Sequence, residues 1–148
     1  MGECKPSAEA DGPRMTRAAL LAIAERVERE APSNQLDAEV WNTIGLTAAQ
    51  ERHCQNWCRN VGRTDLTRFD FLRAWAPSYT SSIDAALKLV PSGSFFILTA
   101  SRSRDEYQAA VMLAGSDARM LWHIAATPAS ALCAAALRAK AAATDGKT

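Results

Sequence analysis

Residues 94–114, SFFILTASRSRDEYQAAVMLA, decide the fold. SFFILTAS is short, apolar and rich in side chains that suit a pleated sheet, and EYQAAVMLA repeats that character after an interruption. The interruption, SRSRDE at 101–106, is charged and serine-rich, which suits an exposed turn. Two such runs joined by such a turn make an antiparallel hairpin the simplest arrangement. ARMLWHI at 118–124 extends the pattern towards a third strand, with Met120 and Trp122 on the opposite side from Leu121 and His123.

Outward from the hairpin the periodicity is helical. Thr127 and Pro128 start a last helix that runs to about Ala143, since threonine caps and proline costs nothing at the first helical position. Leu132, Cys133, Ala136 and Leu137 form its buried stripe, and Arg138 and Lys140 are expected to stay in water. Before the hairpin, Ser81 and Asp84 have the spacing of a capping box. Ile83, Leu87 and Val90 with Ala86 make the buried face, and Pro91 with Gly93 closes the helix.

Further back, Leu20, Leu21, Ile23, Ala24 and Val27 cluster on one side of a helix capped by Thr16 and ended by Pro32. Ser33 and Asn34 then start a short amphipathic helix through Leu36, Val40, Trp41 and Ile44, which Gly45 stops. Residues 46–76 divide: LTAAQERHCQNWCRNV has helical character, whereas GRTDLTRFDFLRAW alternates like a strand or winds as a loop. The predicted fold is α+β, a small antiparallel sheet of 2–4 strands packed by helices at 16–31, 81–90 and 127–143 in an α/β/α-type sandwich. The domain spans 15–143, with 46–76 as an inserted segment and tails at 1–14 and 144–148.

A chain of 148 residues is the common size of one core. Seventeen basic against sixteen acidic residues leave a formal charge of +1, which supplies no field to steer a polyanion. Asp84, Lys88 and Arg138 interrupt the longest apolar stretches, so no membrane span is expected. MGECKPSAEADGPR lacks the apolar run of a secretory leader, and Pro6 breaks the myristoylation pattern, so the cytoplasm of whatever cell makes the chain is the expected compartment. Cysteines at 4, 54, 58 and 133 are then expected to be reduced, without disulfides.

Candidate chemistry concentrates in the middle segment. His53, Cys54 and Cys58 put two thiols one helical turn apart beside an imidazole, a weak metal candidate because no second ligand pair follows. A Cys–His nucleophilic pair would need a spatial proximity that spacing cannot supply. With no serine elbow, phosphate loop or His-Glu-x-x-His motif, neither enzymatic activity nor a cofactor is expected. Arg52, Arg59, Arg63, Arg68 and Arg73 interleave with Trp57, Phe69, Phe71 and Trp75, a pattern that can pair with phosphates and stack on bases. Glu51, Asp65 and Asp70 dilute it, which favours aromatics in the core under a solvated arginine rim. Arg102 and Arg104 in the turn can read an acidic partner, and His123 in an apolar strand reads as a structural histidine.

Four stretches carry a resemblance: MTRAALLAIAERVE at 15–28, LDAEVWNTIG at 36–45, YTSSIDAALKLVP at 79–91 and AATPASALCAAALRAKAA at 125–142. In these the chain resembles small bacteriophage and prophage proteins carrying the phage ABA sandwich domain. The resemblance implies a sheet covered by helices and brings no catalytic residues. After Pro91 that family has an aromatic strand beginning Gly-Trp, where this chain has Gly93-Ser94-Phe95-Phe96, and phenylalanine is expected to do the packing. The expectation is therefore a phage-type accessory protein acting by non-enzymatic binding to a protein partner, with inhibition of a host or defence protein among its roles. The alternative is a nucleic-acid-binding module using residues 52–75. The topology also resembles the double-stranded-RNA-binding fold, but Thr127-Pro128-Ala129-Ser130 offers no basic residue where such modules meet phosphate. Self-association through a bare sheet edge or face is a further reading.

Overall fold

The computed structural model describes residues 16–60, 66–100, 106–112 and 122–145. The elements run α1 (Arg17–Arg29), α2 (Asn34–Ile44), α3 (Ala48–Asn60), α4 (Arg68–Trp75), α5 (Ile83–Leu87), β1 (Phe95–Ala100), β2 (Tyr107–Met112), β3 (His123–Ala125) and α6 (Pro128–Asp145). The strands form an antiparallel sheet in the order β1-β2-β3, so the fold is α+β as expected.

The first two helices follow their sequence signals. The Thr16 hydroxyl accepts from the Ala19 N–H at 3.1 Å, and Leu20, Ile23, Ala24 and Val27 bury one face of α1. The Ser33 hydroxyl accepts from the Leu36 N–H at 3.0 Å, and Gly45 ends α2 at φ 87°, a backbone angle that a side chain would strain.

Three expectations are corrected. GRTDLTRFDFLRAW is neither strand nor loop from Thr67 onward: the Thr67 hydroxyl and the Asp70 carboxylate satisfy each other's backbone N–H groups in a capping box, and α4 follows. Ser82, not Ser81, caps α5, because the N–H groups of both serines are drawn to the Ser78 carbonyl in the preceding turn. The helix therefore starts later and buries Ala85, Ala86 and Leu89, which leaves Ile83 exposed. Beyond Leu87 it tightens into i→i+3 bonds at Lys88, Leu89 and Val90.

The third correction concerns α6. Instead of one buried stripe, it is buried on almost every side from Ala129 to Leu137 and again at Ala139 and Ala141. A helix apolar all round is a central helix. Its alanines let α1, α5 and the sheet approach closely, and α1 and α6 share the most extensive helix contact. Arg138 is only half-exposed, because it pairs with Glu28 of α1. Among the described residues the helices gather on one face of the sheet, where Leu98, Tyr107, Ala109, Val111 and Ala125 join the core. No helix among these residues is long and apolar enough to cross a membrane.

One buried polar network ties the layers together. Asp37 in the first turn of α2 accepts from the Thr80 N–H and hydroxyl, both at 2.8 Å. The Thr80 carbonyl accepts in turn from the hydroxyls of Thr127 and Ser130, each at 3.1 Å, at the start of α6. Asp37, Thr80 and Ser130 are all buried, so every bond lost would leave a group without water. Burial raises the Asp37 carboxyl above its ordinary range, and the two bonds from Thr80 oppose that rise. Asp37→Ala is expected to cost about 2–3 kcal/mol in chemical denaturation, since it strands two Thr80 donors. Asp37→Asn, which keeps an acceptor oxygen, should recover most of that loss.

Candidate interaction surface

The sheet has a second face. In an antiparallel ladder, paired residues share a side and successive residues alternate. Phe95↔Met112, Ile97↔Ala110 and Thr99↔Gln108 therefore lie opposite to the core-facing Leu98, Ala109 and Val111, and Gln108↔Ile124 carries that outer side onto β3. Trp122, two residues before Ile124 and just ahead of β3, is exposed beside that side. Phe95, Ile97, Trp122 and Ile124 are between 40% and 73% exposed, although a sheet face of this size normally packs against something. None of these outer-face residues carries charge. Ala110, on the central strand, is inaccessible among its neighbours. The expectation that phenylalanine would pack this strand into the core is thus overturned: Phe95 and Phe96 are among the most exposed large apolar residues of the described chain.

The arginine and aromatic segment is dispersed by its own packing. Phe71 is fully buried and meets Trp41, Trp57 and His53 with ring centroids 5.7, 5.8 and 5.3 Å apart. Trp75 is exposed but lies 4.9 Å from the His53 ring. The aromatic surfaces are largely engaged with one another, as expected of a core, and not splayed for stacking on bases. Arg68, proposed as a contact residue, is instead buried: its Nη1 donates to Glu51 Oε2 at 2.6 Å and its Nε faces Asn42 Oδ1 at 3.4 Å. Arg73 pairs with Asp70 at 2.6 Å and lies 5.8 Å from the Phe69 ring. Arg52 and Arg59 are exposed on α3. Arg63, Arg102 and Arg104 lie outside the described residues.

The thiols divide in a way that spacing did not reveal. Cys58 is disulfide-bonded, which corrects the expectation of four reduced thiols. That expectation rested on compartment, and compartment says nothing about which sulfurs the fold brings together. Cys54, one turn earlier, is a buried thiol raised to about 11 by burial, so it is protonated near neutral pH and a poor nucleophile. Burial also raises Cys133. No group of three or more metal-ligating side chains occurs among the described residues. His53, in contact with Phe71 and Trp75, does not join Cys54 and Cys58 in one.

Two further groupings were not read from the sequence. A shallow cleft of about 280 Å³ between α1 and α2 is lined by Ile23, Arg26, Glu39, Asn42 and Phe69. It lies at the small end of ligand-binding cavities, and Arg26 within it is already paired with Glu30 at 2.7 Å and Glu39 at 2.5 Å. On the core side of β3, His123 Nδ1 lies 3.6 Å from Glu28 Oε2, and the other oxygen of Glu28 accepts from Arg138. Their separation in sequence, Glu28 to His123 to Arg138, hid this cluster, and only the apolar setting of His123 hinted at a structural role.

Burial lowers the His123 pKa below its usual value near 6.5, and the Arg138 charge adds to that effect while Glu28 opposes it. A histidine whose folded pKa is depressed stabilises the fold above its unfolded pKa and loses that contribution as pH falls through the folded value. Unfolding free energy should therefore decline between pH 7.5 and 5.5, by at most about 1.4 kcal/mol per pH unit for one proton. His123→Gln should flatten that part of the profile in denaturant titrations. No family model, curated protein or solved structure matches the chain, so its sequence and geometry alone carry a functional reading.

Proposed function

We propose that this chain is a non-enzymatic protein-binding module that docks a partner protein on the outer face of its sheet. The observation that carries the reading is the exposure of Phe95, Ile97, Trp122 and Ile124 on one uncharged sheet face, while the helices crowd the other. Exposed apolar patches of this kind mark interaction sites, and aromatic anchors dominate their energetics. On the pattern of its helical stretches alone, which resembles that of small phage and prophage proteins, we read the role as a phage-type accessory one in the bacterial cytoplasm, with a host or defence protein as the target. The nucleic-acid alternative keeps Arg52 and Arg59 exposed on α3 but loses Arg68, which is buried, and Phe71 and Trp57, whose rings pack on one another.

Affinity capture from bacterial lysate, with nuclease and at low and moderate salt, tests the reading when wild type is run beside Ile124→Asp. A discrete protein should persist with wild type through both treatments. The variant should weaken its capture at least about tenfold, since it sets a carboxylate within the uncharged apolar patch. Equal capture by both proteins would overturn the outer face as the site. Recovery of nucleic acid alone, lost at moderate salt, would overturn the protein-binding reading itself.

A further inference from the structure

We infer that the free edge of β1 pairs with β1 of a second copy, joining two sheets into one of six strands. β1 is the terminal strand of the order β1-β2-β3, so among the described residues its main chain is paired with β2 alone. Edge strands in soluble proteins are ordinarily guarded by charge, proline, a bulge or shortness. FFILTA has no charge and no proline, and its six residues pair with β2 without interruption, which leaves no bulge. Its companion at the opposite edge, β3, is only three residues long.

Exposure identifies where β1 belongs. A continuous apolar run such as Phe95-Phe96-Ile97-Leu98 is the signature of a strand covered on both faces. Here Phe95 and Ile97 are exposed on the outer side, and Phe96 is 45% exposed on the helix side, where α6 lies mainly over β2. The strand therefore has the residues of a central strand in the place of an edge strand. Antiparallel pairing about a two-fold axis perpendicular to the sheet makes it central. That axis keeps both helical layers on one side and both outer faces on the other.

The occupant is a second copy because the strand is its own complement. It is uncharged along its length, so two copies meet without like-charge repulsion, and a two-fold repeat satisfies the same donors and acceptors in each. Pairing in the plane of the sheet sets Phe95, Phe96 and Ile97 beside their counterparts and covers only part of what they expose, so the contact is small. Lasting interfaces bury about 1,200–2,000 Å². The contact is accordingly a weak, reversible dimer held chiefly by main-chain hydrogen bonds.

Phe96, on the helix side of β1, probes the edge and Ile124, on β3, probes the outer face, so each can fail alone. Sedimentation velocity of the full chain from about 1 to about 500 µM should show its mass rising from one chain to two. Phe96→Lys, on the helix side of β1, should weaken assembly at least tenfold while retaining capture of the outer-face partner. Ile124→Asp should do the reverse. Ala100→Lys is a second edge variant, with circular dichroism reporting whether each variant is folded. Hydrogen exchange on wild type should show β1 amides gaining protection as concentration rises. A wild-type mass of one chain throughout overturns the inference. So does unchanged assembly of folded edge variants, or a dimer dissolved by Ile124→Asp and not by Phe96→Lys.

Discussion

Asp37 accepts two hydrogen bonds from Thr80, Thr80 accepts two from the start of α6, and through those four bonds the order of the layers is set. The turn at 78–82 is held in the interior by its own polar groups. Its carbonyl at Thr80 sits over the first turn of α6, so the helix enters the molecule at a fixed point. A carboxylate so deeply buried is costly to ionise, which is why burial raises its pKa. The cost is accepted where an apolar residue would leave the Thr80 N–H and hydroxyl stranded. Polar groups fully satisfied in this manner specify one arrangement, whereas alanine-rich surfaces alone fit together in several.

From that entry point α6 runs through the centre, and the remaining architecture follows from its composition. Alanine on nearly every side lets neighbours come close, but it offers little volume to fill space. Bulk comes from Leu20, Leu36, Phe71, Leu72 and Leu89 on the surrounding helices. The sheet lies against α6 through small residues, Ala109 and Ala125, with Leu98 and Val111 at the margins. With the helical mass on that side, the outer face of the sheet is left with Phe95, Ile97, Trp122 and Ile124 in water. Exposure of the sheet is thus a consequence of how the core was assembled.

Much of this was legible from local chemistry. Thr16, Ser33, Gly45 and Thr127 stand where their caps are, because a cap depends on three or four residues and little else. The hairpin was legible for the same reason. The middle segment was misread because Phe69 and Phe71 alternate with Arg68 and Asp70, which mimics a strand over a stretch too short to reveal helical period. The Thr67–Asp70 capping box was present in the sequence and carried the correct answer. Burial of Arg68 depends on Glu51 seventeen residues earlier, and the Glu28–His123–Arg138 cluster spans α1, β3 and α6. Long-range pairings of this kind have no local signature. Cys58 belongs with them, since a disulfide depends on which sulfurs the fold brings together.

The remaining discrepancy is of another kind. At Phe95–Leu98 the local pattern was read correctly as a strand, yet only Leu98 reaches the core, and Phe95, Phe96 and Ile97 do not. In α1 and α6 pattern and burial agree: Leu20, Ile23 and Val27 are buried, and so are Leu132 and Leu137. When a sequence is consistent at every level but one, the exception is where function or assembly is to be sought. A monomer that kept Phe95, Phe96 and Ile97 in water would gain nothing in stability from them and would risk indiscriminate pairing. Coverage of these side chains by another polypeptide resolves both objections at once, since burial then rewards the residues and occupies the edge.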